Sequence, residues 1–328
     1  MKYIVTGAAG LIGSAIISEL NKEGETDILA VDHLGNTSEK WKNLRALQFT
    51  DYMERDDFYA MIAEPGAITE ETKGIIHMGA CSSTTETDAT YLIHNNYECT
   101  KQLAALATEK NIRFIYASSA ATYGDGECGY KDDESQIEQL RPLNMYGYSK
   151  QMFDLWAKKN KMLKHIAGVK FTNVYGPNER HKGNMRSMVI RAFEQIRDTG
   201  TVKLFKSCRS DYADGEQKRD FLYVKDAARM VLFLLRRSDL NGLYNIGSGK
   251  AETWNELVKA VFAAMDKPVQ IEYVDMLEHL KAKYQYYTCA DMDKMRAAGY
   301  TKEPMSLEDA IRDDIRTYLI PDKYLGDE

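Results

Sequence analysis

The pentapeptide Tyr146-Gly147-Tyr148-Ser149-Lys150 sets a phenol and an ammonium four residues apart, the spacing that brings two side chains onto one face of a helix. A cation beside a phenol stabilises phenolate and draws its pKa towards neutrality. Tyr146 is therefore a candidate acid/base, able to move a proton while a nicotinamide moves a hydride. Lys150 can also bind the nicotinamide ribose. Alone, such a pair reads more readily as a solvated helix face. The run Tyr116-Ala117-Ser118-Ser119-Ala120-Ala121-Thr122-Tyr123-Gly124 shifts that balance. It puts serine hydroxyls at the C-terminal end of a strand, where open α/β sheets bind ligands, and Ser119 there can hold a substrate hydroxyl beside Tyr146. The plainer reading is that either serine caps the next segment.

Earlier in the chain, Thr6-Gly7-Ala8-Ala9-Gly10-Leu11-Ile12-Gly13 follows an apolar strand and opens a helix. Gly7, Gly10 and Gly13 let the backbone turn tightly and approach a pyrophosphate at the helix N-terminus. Asp32 lies about 20 residues further on, at the end of the next strand, where a carboxylate accepts hydrogen bonds from an adenosine ribose. An acid there favours NAD by itself, yet Lys40, Lys42 and Arg55 follow and can neutralise a ribose phosphate. By this route NAD and NADP both stay open.

These residues need a scaffold, and the first half of the chain supplies one by alternating strand-like runs with helical patterns, the mark of βαβ units and a parallel sheet. Tyr3-Ile4-Val5 and Asp27 to Asp32 read as strands, with Ile12, Ile16 and Leu20 at helical spacing between them. Further strands are expected at 74–78, 113–117 and 166–171. The period breaks after Tyr175-Gly176-Pro177, where polar residues 178–184 open a second lobe. Phe221 to Val224, a helix through Ala228 and Leu232, and Leu243 to Ile246 are expected to return the chain to the sheet. Thr253 with Glu256, and Ser306 with Asp309, read as helix N-terminal caps. The expected fold is α/β: a Rossmann-type doubly wound parallel sheet (1–176 plus 217–248) with a smaller α/β substrate-binding lobe (177–216 plus 249–328).

Composition narrows the function classes. Forty-three Lys and Arg against 49 Asp and Glu leave −6 over 328 residues, which argues against nucleic-acid or anionic-membrane partners. The five cysteines, Cys81, Cys99, Cys128, Cys208 and Cys289, form no C-x-x-C pair, so neither a disulfide framework nor a zinc site is signalled and no metal is expected. The N-terminal apolar stretch is too short for a signal peptide, and no run nears the roughly 20 residues of a spanning helix. A cytoplasmic protein is the expectation.

Turn, Asp32, strand-end serine and Tyr/Lys pair, in this order, resemble the extended short-chain dehydrogenase/reductases that act on nucleotide sugars, over essentially the whole chain. The segments 77–86, Asn95-Asn96-Tyr97, 116–124, Asn173-Val174-Tyr175-Gly176-Pro177 and His181-Lys182-Gly183 look like the ADP-glycero-manno-heptose 6-epimerase family. Lys218-Arg219-Asp220-Phe221 and Lys283-Tyr284-Gln285 carry the likeness into the second lobe.

The resemblance implies an isomerase that inverts carbon six of an ADP-heptose for lipopolysaccharide inner-core synthesis, working as a homo-oligomer, a pentamer in the family. It implies Tyr146 and Lys182 as the two acid/base groups, Ser119 positioning substrate and Lys150 binding cofactor. Tightly held NADP would be contacted by Leu11, Ile12, Asp32, His33, Lys40, Arg55, Met78, Gly79, Ala80, Cys81, Ser82, Asn95 and Val174. Substrate contacts would come from Ser83, Asn173, Asn184, Arg191, Phe205, Arg219 and Tyr284. Met78 stands where the family usually has Glu, and the stretch 207–217 is longer than in compact members, which unsettles the contacts around Phe205.

The chemistry behind this is simple. Inverting a carbon without an acidic proton requires taking a hydride to make a ketone and returning it to the opposite face, with the cofactor unchanged at the end. The ketone must present both faces, so a proton donor is needed in each of two poses, and Tyr146 and Lys182 fill them. A lysine does this only where burial or a cation lowers its pKa from about 10; its plainer role is phosphate contact. Arg219 suits a diphosphate, since guanidinium binds phosphate oxygens in a fork, unless it pairs at the surface with Asp220 or Asp226. A 4,6-dehydratase would resemble Thr-Asp-Glu where this chain has Ser119-Ala120-Ala121. A UDP-hexose 4-epimerase shares the Ser/Tyr/Lys chemistry and is the runner-up. A non-catalytic NADP-sensing protein would need the glycine turn but neither Tyr146 nor Lys150.

Overall fold

A computed structural model describes residues 1–328 except 37–38, 65, 70, 282–283 and 328, and leaves out the side chains of 279 and 280. Lys283, part of the segment expected to extend the family likeness, lies outside the described residues. In chain order the strands are β1 (Tyr3–Thr6), β2 (Ile28–Asp32), β3 (Asp51–Glu54), β4 (Gly74–His77), β5 (Arg113–Ser119), β6 (Ala167–Phe171), β7 (Asn173–Tyr175), β8 (Val202–Phe205), β9 (Lys218–Arg219), β10 (Phe221–Tyr223), β11 (Gly242–Ile246), β12 (Glu252–Thr253) and β13 (Ile271–Val274).

Seven of them form one parallel sheet in the order β11-β6-β5-β4-β1-β2-β3. β2, β4, β6 and β11 are buried along their whole length, as a parallel sheet covered on both faces requires. On one face Ile16, Ile17 and Leu20 of the helix Leu11–Lys22 pack with Val231, Leu232 and Leu235 of the helix Val224–Arg236. On the other, Leu103 and Ala107 pack with Phe153 and Ala157 of the helix Met145–Lys159. This is a Rossmann-type doubly wound sheet, and its strand order reverses between β1 and β4, which puts the ligand crevice at their C-terminal ends.

One strand expected in the sheet is elsewhere. Phe221 to Tyr223 pairs in parallel with β7, outside the main sheet; only β11 returns to it, beside β6. A second core, built from Val189, Phe193, Leu257, Val261, Ile311 and Ile315, lies under the parallel pair β8 and β13. Both expected caps are present: Thr253 and Glu256 form a reciprocal capping box, and Ser306 accepts from Asp309 N. No described helix is long and apolar enough to cross a membrane.

Candidate active site

The glycine turn joins β1 to the first helix so closely that side chains are excluded. A Cβ on Gly13 would lie 2.0 Å from the Gly7 carbonyl oxygen, and one on Gly7, at φ +68°, would lie 2.7 Å from Gly79 N across the β1/β4 reversal. The helix starts after Gly10 with no capping side chain and no acid in its first turn, so its first N–H groups face the crevice with positive potential. These features fit a pyrophosphate.

Asp32 ends β2 in the same crevice. Its oxygens accept from Ala9 N at 2.8 Å and His33 N at 2.6 Å, and Lys40 forms an ion pair with it. The glycine turn and the Asp32 carboxylate are thus one hydrogen-bonded unit.

A chain of hydrogen bonds anchors the reversal from beneath. Gly79 N donates to Thr6 Oγ1 at 3.1 Å, Thr6 Oγ1 lies 2.6 Å from His77 Nδ1, His77 Nε2 lies 2.9 Å from Thr100 Oγ1, and Thr100 donates to the Asn96 carbonyl at 2.7 Å. Burial, then the nearby Lys150 charge, brings the His77 imidazole down to about 3.

The candidate proton-transfer groups come from β5 and the helix Met145–Lys159. Asn144 caps that helix by accepting from Gly147 N at 2.8 Å, which fixes its first turn and hence Tyr146. Ser119 ends β5; its Oγ accepts from Ala121 N at 3.1 Å and also hydrogen-bonds the Tyr146 phenol. Lys150 is buried and donates to the Ala117 carbonyl at 2.8 Å. Burial lowers its pKa to about 8 against the opposing charge of Asp154.

The lowered Tyr146 pKa expected from the sequence is not found. Burial pushes the phenol up, with only the Ser119 hydrogen bond opposing it. The reason is desolvation: the phenol is buried, and burial disfavours its charged phenolate form.

A single cleft of about 1660 Å³ is lined by Gly7, Gly10, Leu11, Ile12, Gly13, Asp32, His33, Lys40, the 78–83 strand end, Ser119, Tyr146, Lys150, Asn173, Val174, Lys182, Arg219 and Tyr284. Five expected contacts lie outside that lining. Arg55 donates to Asn95 Oδ1 at 3.0 Å and pairs with Asp56, so the two are spent on each other. Arg191 donates to the Asn184 carbonyl. Phe205 ends β8, half-buried. Arg219 pairs with neither Asp220 nor Asp226: its guanidinium is buried against Trp254 and Tyr284, donating to the Lys218 and Gln285 carbonyls, while Asp226 pairs with Arg229.

Several supporting residues escape the sequence reading. Asn96, in the i to i+5 wound segment Ile93–Glu98, accepts from Cys81 N at 2.9 Å and donates to Cys81 O at 2.9 Å and Ser149 Oγ at 3.0 Å. It ties the β4 end to the Tyr146 helix. The Asn43 amide nitrogen lies 2.8, 2.9 and 3.1 Å from Ala9 O, Asn178 O and His181 Nδ1, joining the phosphate turn to the Lys182 segment. One signal was available: Asp154 continues the Tyr146/Lys150 spacing by another four residues. Among the described residues no cluster fits a metal ion.

A parallel sheet with its glycine turn at the strand-order reversal and a Ser/Tyr/Lys group across the cleft defines a class. The chain belongs to the NAD dependent epimerase/dehydratase family, whose model matches residues 3–247. Nicotinamide dinucleotide is that family's cofactor, and the glycine cradle has the shape for one. Within the family, the chain is 52% identical over 317 residues to an ADP-L-glycero-D-manno-heptose-6-epimerase of Nitratidesulfovibrio vulgaris, covering 97% of this chain and 98% of the relative. It is 47% identical over 333 residues to the enzyme of the same name from Fusobacterium nucleatum, covering 98% and 99%. The likeness to the heptose epimerases read from the sequence therefore holds, and with it the assignment to the isomerases. The fold matches the solved Helicobacter pylori ADP-L-glycero-D-manno-heptose-6-epimerase at TM-score 0.77, with 24% identity over 96% of this chain and 95% of that one. It also matches a UDP-N-acetylglucosamine 4-epimerase from Methanobrevibacter ruminantium at TM-score 0.79, with 20% identity over 98% and 99%.

Proposed function

We propose that this chain inverts carbon six of the heptose in ADP-D-glycero-β-D-manno-heptose to the L-glycero form, using NADP. The observation that carries the reading is the convergence of Ser119, Tyr146, Lys150 and Lys182 on the cleft that also holds the glycine cradle. Near-full-length identity to enzymes of that name supports the substrate. Lys40 beside Asp32 and His33 supports NADP over NAD, because a cation there offsets the carboxylate that would repel a ribose phosphate.

When bound, the nicotinamide supplies the acceptor and donor of hydride. Ser119 hydrogen-bonds the carbon-six hydroxyl and holds it at Tyr146, whose phenolate form takes that proton in one pose. Lys182, which lines the same cleft, gives an ammonium proton to the ketone oxygen once the keto sugar presents its other face, and proton exchange with solvent restores both side chains. Lys150, anchored on Ala117 O, directs its remaining N–H groups to the ribose. Arg219, stacked against Trp254 and Tyr284, holds the diphosphate. The dinucleotide domain of this reading spans 1–176 and 217–248, and the substrate lobe 177–216 and 249–328. The setting is cytoplasmic synthesis of a lipopolysaccharide precursor by a homo-oligomer.

The test is NMR of the pure protein mixed with ADP-D-glycero-β-D-manno-heptose and no added reductant. The expected result is accumulation of the L-glycero epimer. No inversion there, with turnover of UDP-galactose instead, would move the assignment to a hexose 4-epimerase.

A further inference from the structure

The turn that carries Lys182 is closed by one acidic side chain. Glu179 is 1% exposed; its two carboxylate oxygens accept from Ser187 N and Ser187 Oγ, each at 2.6 Å. Its own carbonyl accepts from Lys182 N at 3.0 Å. Lys182 therefore rides on a loop whose ends, 179 and 187, are fastened together, and Ser187 in turn begins the helix Met188–Thr199. The outer side of the loop is bare: Gly183 and Asn184 are exposed, and Gly183 breaks the helical path at φ 52°.

Behind Glu179 lies Asp314, 0% exposed, at the start of the last helical segment Asp314–Leu319. Neither of its carboxyl oxygens has a hydrogen-bond partner. An anion cannot be kept there cheaply, since a buried charge needs donors or a counter-ion. Burial, then the charge of Glu179, pushes its pKa well above the carboxylate range. Glu179 is also raised by burial, opposed by Lys182 and by its bonds to Ser187.

We propose that Glu179 is a positioning residue for Lys182, clamping its turn through Ser187, and that Asp314 stands behind it as a neutral acid, so that the two carboxyls share one negative charge. The idea rests on the reading of Lys182 as an acid/base. The other charges around Asp314 have partners of their own. Asp313 is taken by Lys225 Nζ and Tyr223 OH, each at 2.7 Å. Arg180 pairs with Asp322 and donates to the Tyr318 carbonyl. Tyr175 and Tyr223 face Asp314 from β7 and β10, and burial raises both phenols, so they are neutral as well. On the packed helix Trp254–Ala264, Glu256 is bound to Thr253 and Lys259 is exposed. Ionising Asp314 at alkaline pH would place a second charge beside Glu179 with nothing to answer it, and the Lys182 turn would open.

The test compares wild type, Glu179→Gln, Ser187→Ala and Asp314→Asn as full-length folded proteins, through pH profiles of kcat and KM and amide exchange of the 179–187 peptide at matched pH. Glu179→Gln should lower kcat by roughly tenfold or more, the scale of a lost hydrogen bond to a charged group, with little change in KM and faster exchange in the peptide. Ser187→Ala should do the same to a lesser degree. Asp314→Asn should keep the neutral-pH kcat, shift the alkaline fall to higher pH and slow alkaline exchange relative to wild type. Unchanged exchange and kcat in Glu179→Gln, or an unmoved alkaline limb in folded Asp314→Asn, would overturn the proposal. If exchange responds as expected while Lys182→Met keeps full turnover, the clamp stands and the catalytic role of Lys182 falls.

Discussion

Lys170 Nζ meets Asp154 Oδ2 at 2.6 Å where neither side chain reaches solvent. Lys170 comes from β6 and Asp154 from the Tyr146 helix, and the carboxylate also accepts from Tyr116 OH at 2.9 Å and Ser118 Oγ at 2.7 Å on β5. The pair thus holds the helix bearing Tyr146 and Lys150 against the strand end bearing Ser119.

Removing one member leaves a buried charge unanswered. Asp154→Ala should cost about 3–5 kcal/mol of stability, read by urea unfolding, whereas Asp154→Leu combined with Lys170→Met should recover most of it. A loss in the single variant below about 1 kcal/mol, the range of exposed ion pairs, would show that the network contributes little.

Tyr146→Phe and Lys182→Met should each lower kcat by about 10²–10⁴, the usual share of acid/base catalysis, while dinucleotide remains bound as read by absorbance of the cofactor released on denaturation. Near-wild-type turnover in either variant removes that residue from the chemistry.

Lys150 gives a signed pH effect. Its ordinary pKa of 10.5 is held near 8 in the folded protein by burial. Below pH 8 both states carry the proton and the burial cost is present in full. Between 8 and 10.5 the unfolded chain binds more protons, so stability rises with pH, by roughly 3 kcal/mol in all. The rise should be smaller by that amount in Lys150→Met, measured by denaturation of cofactor-free protein; identical slopes in the two proteins would refute the shift.

Two glycines should behave differently. Gly13→Ala puts a methyl 2.0 Å from the Gly7 carbonyl oxygen and should abolish dinucleotide binding, checked by titration calorimetry. Gly183→Ala, at φ 52° and ψ −122° with nothing within 4 Å, should cost only the backbone strain, about 1–3 kcal/mol, and leave the dinucleotide in place.

How far the sequence reveals this site follows from the range of the interactions. The glycine turn, the Tyr146/Lys150 face and the Thr253/Glu256 cap are local patterns and stand where the residues put them. Phe221 to Tyr223 is recognisable as a strand, but three apolar residues do not say which neighbour they join, and β7 rather than the main sheet takes them. β3 is an edge strand of half-exposed residues with no apolar run. Asn96 and Asp154 matter through partners distant in sequence, and Glu179 through a side-chain bond to Ser187 that no periodic pattern announces, so their roles appear only once the chain is folded. Arg55 and Asn95 show the converse: each is polar and suitably placed in sequence, yet they bind one another.

The hydrogen bonds under the β1/β4 reversal have a fixed direction. Thr6 Oγ1 accepts from Gly79 and Thr100 gives its proton to Asn96, so the imidazole of His77 takes a proton on Nδ1 and gives one from Nε2. A second ring proton would point at a hydroxyl that is itself donating. Acidification below about pH 6.5, the ordinary histidine value, should therefore weaken the fold progressively down to about 3. It would do so at the seam beside the glycine turn, so affinity for a dinucleotide and resistance to acid should decline as one property.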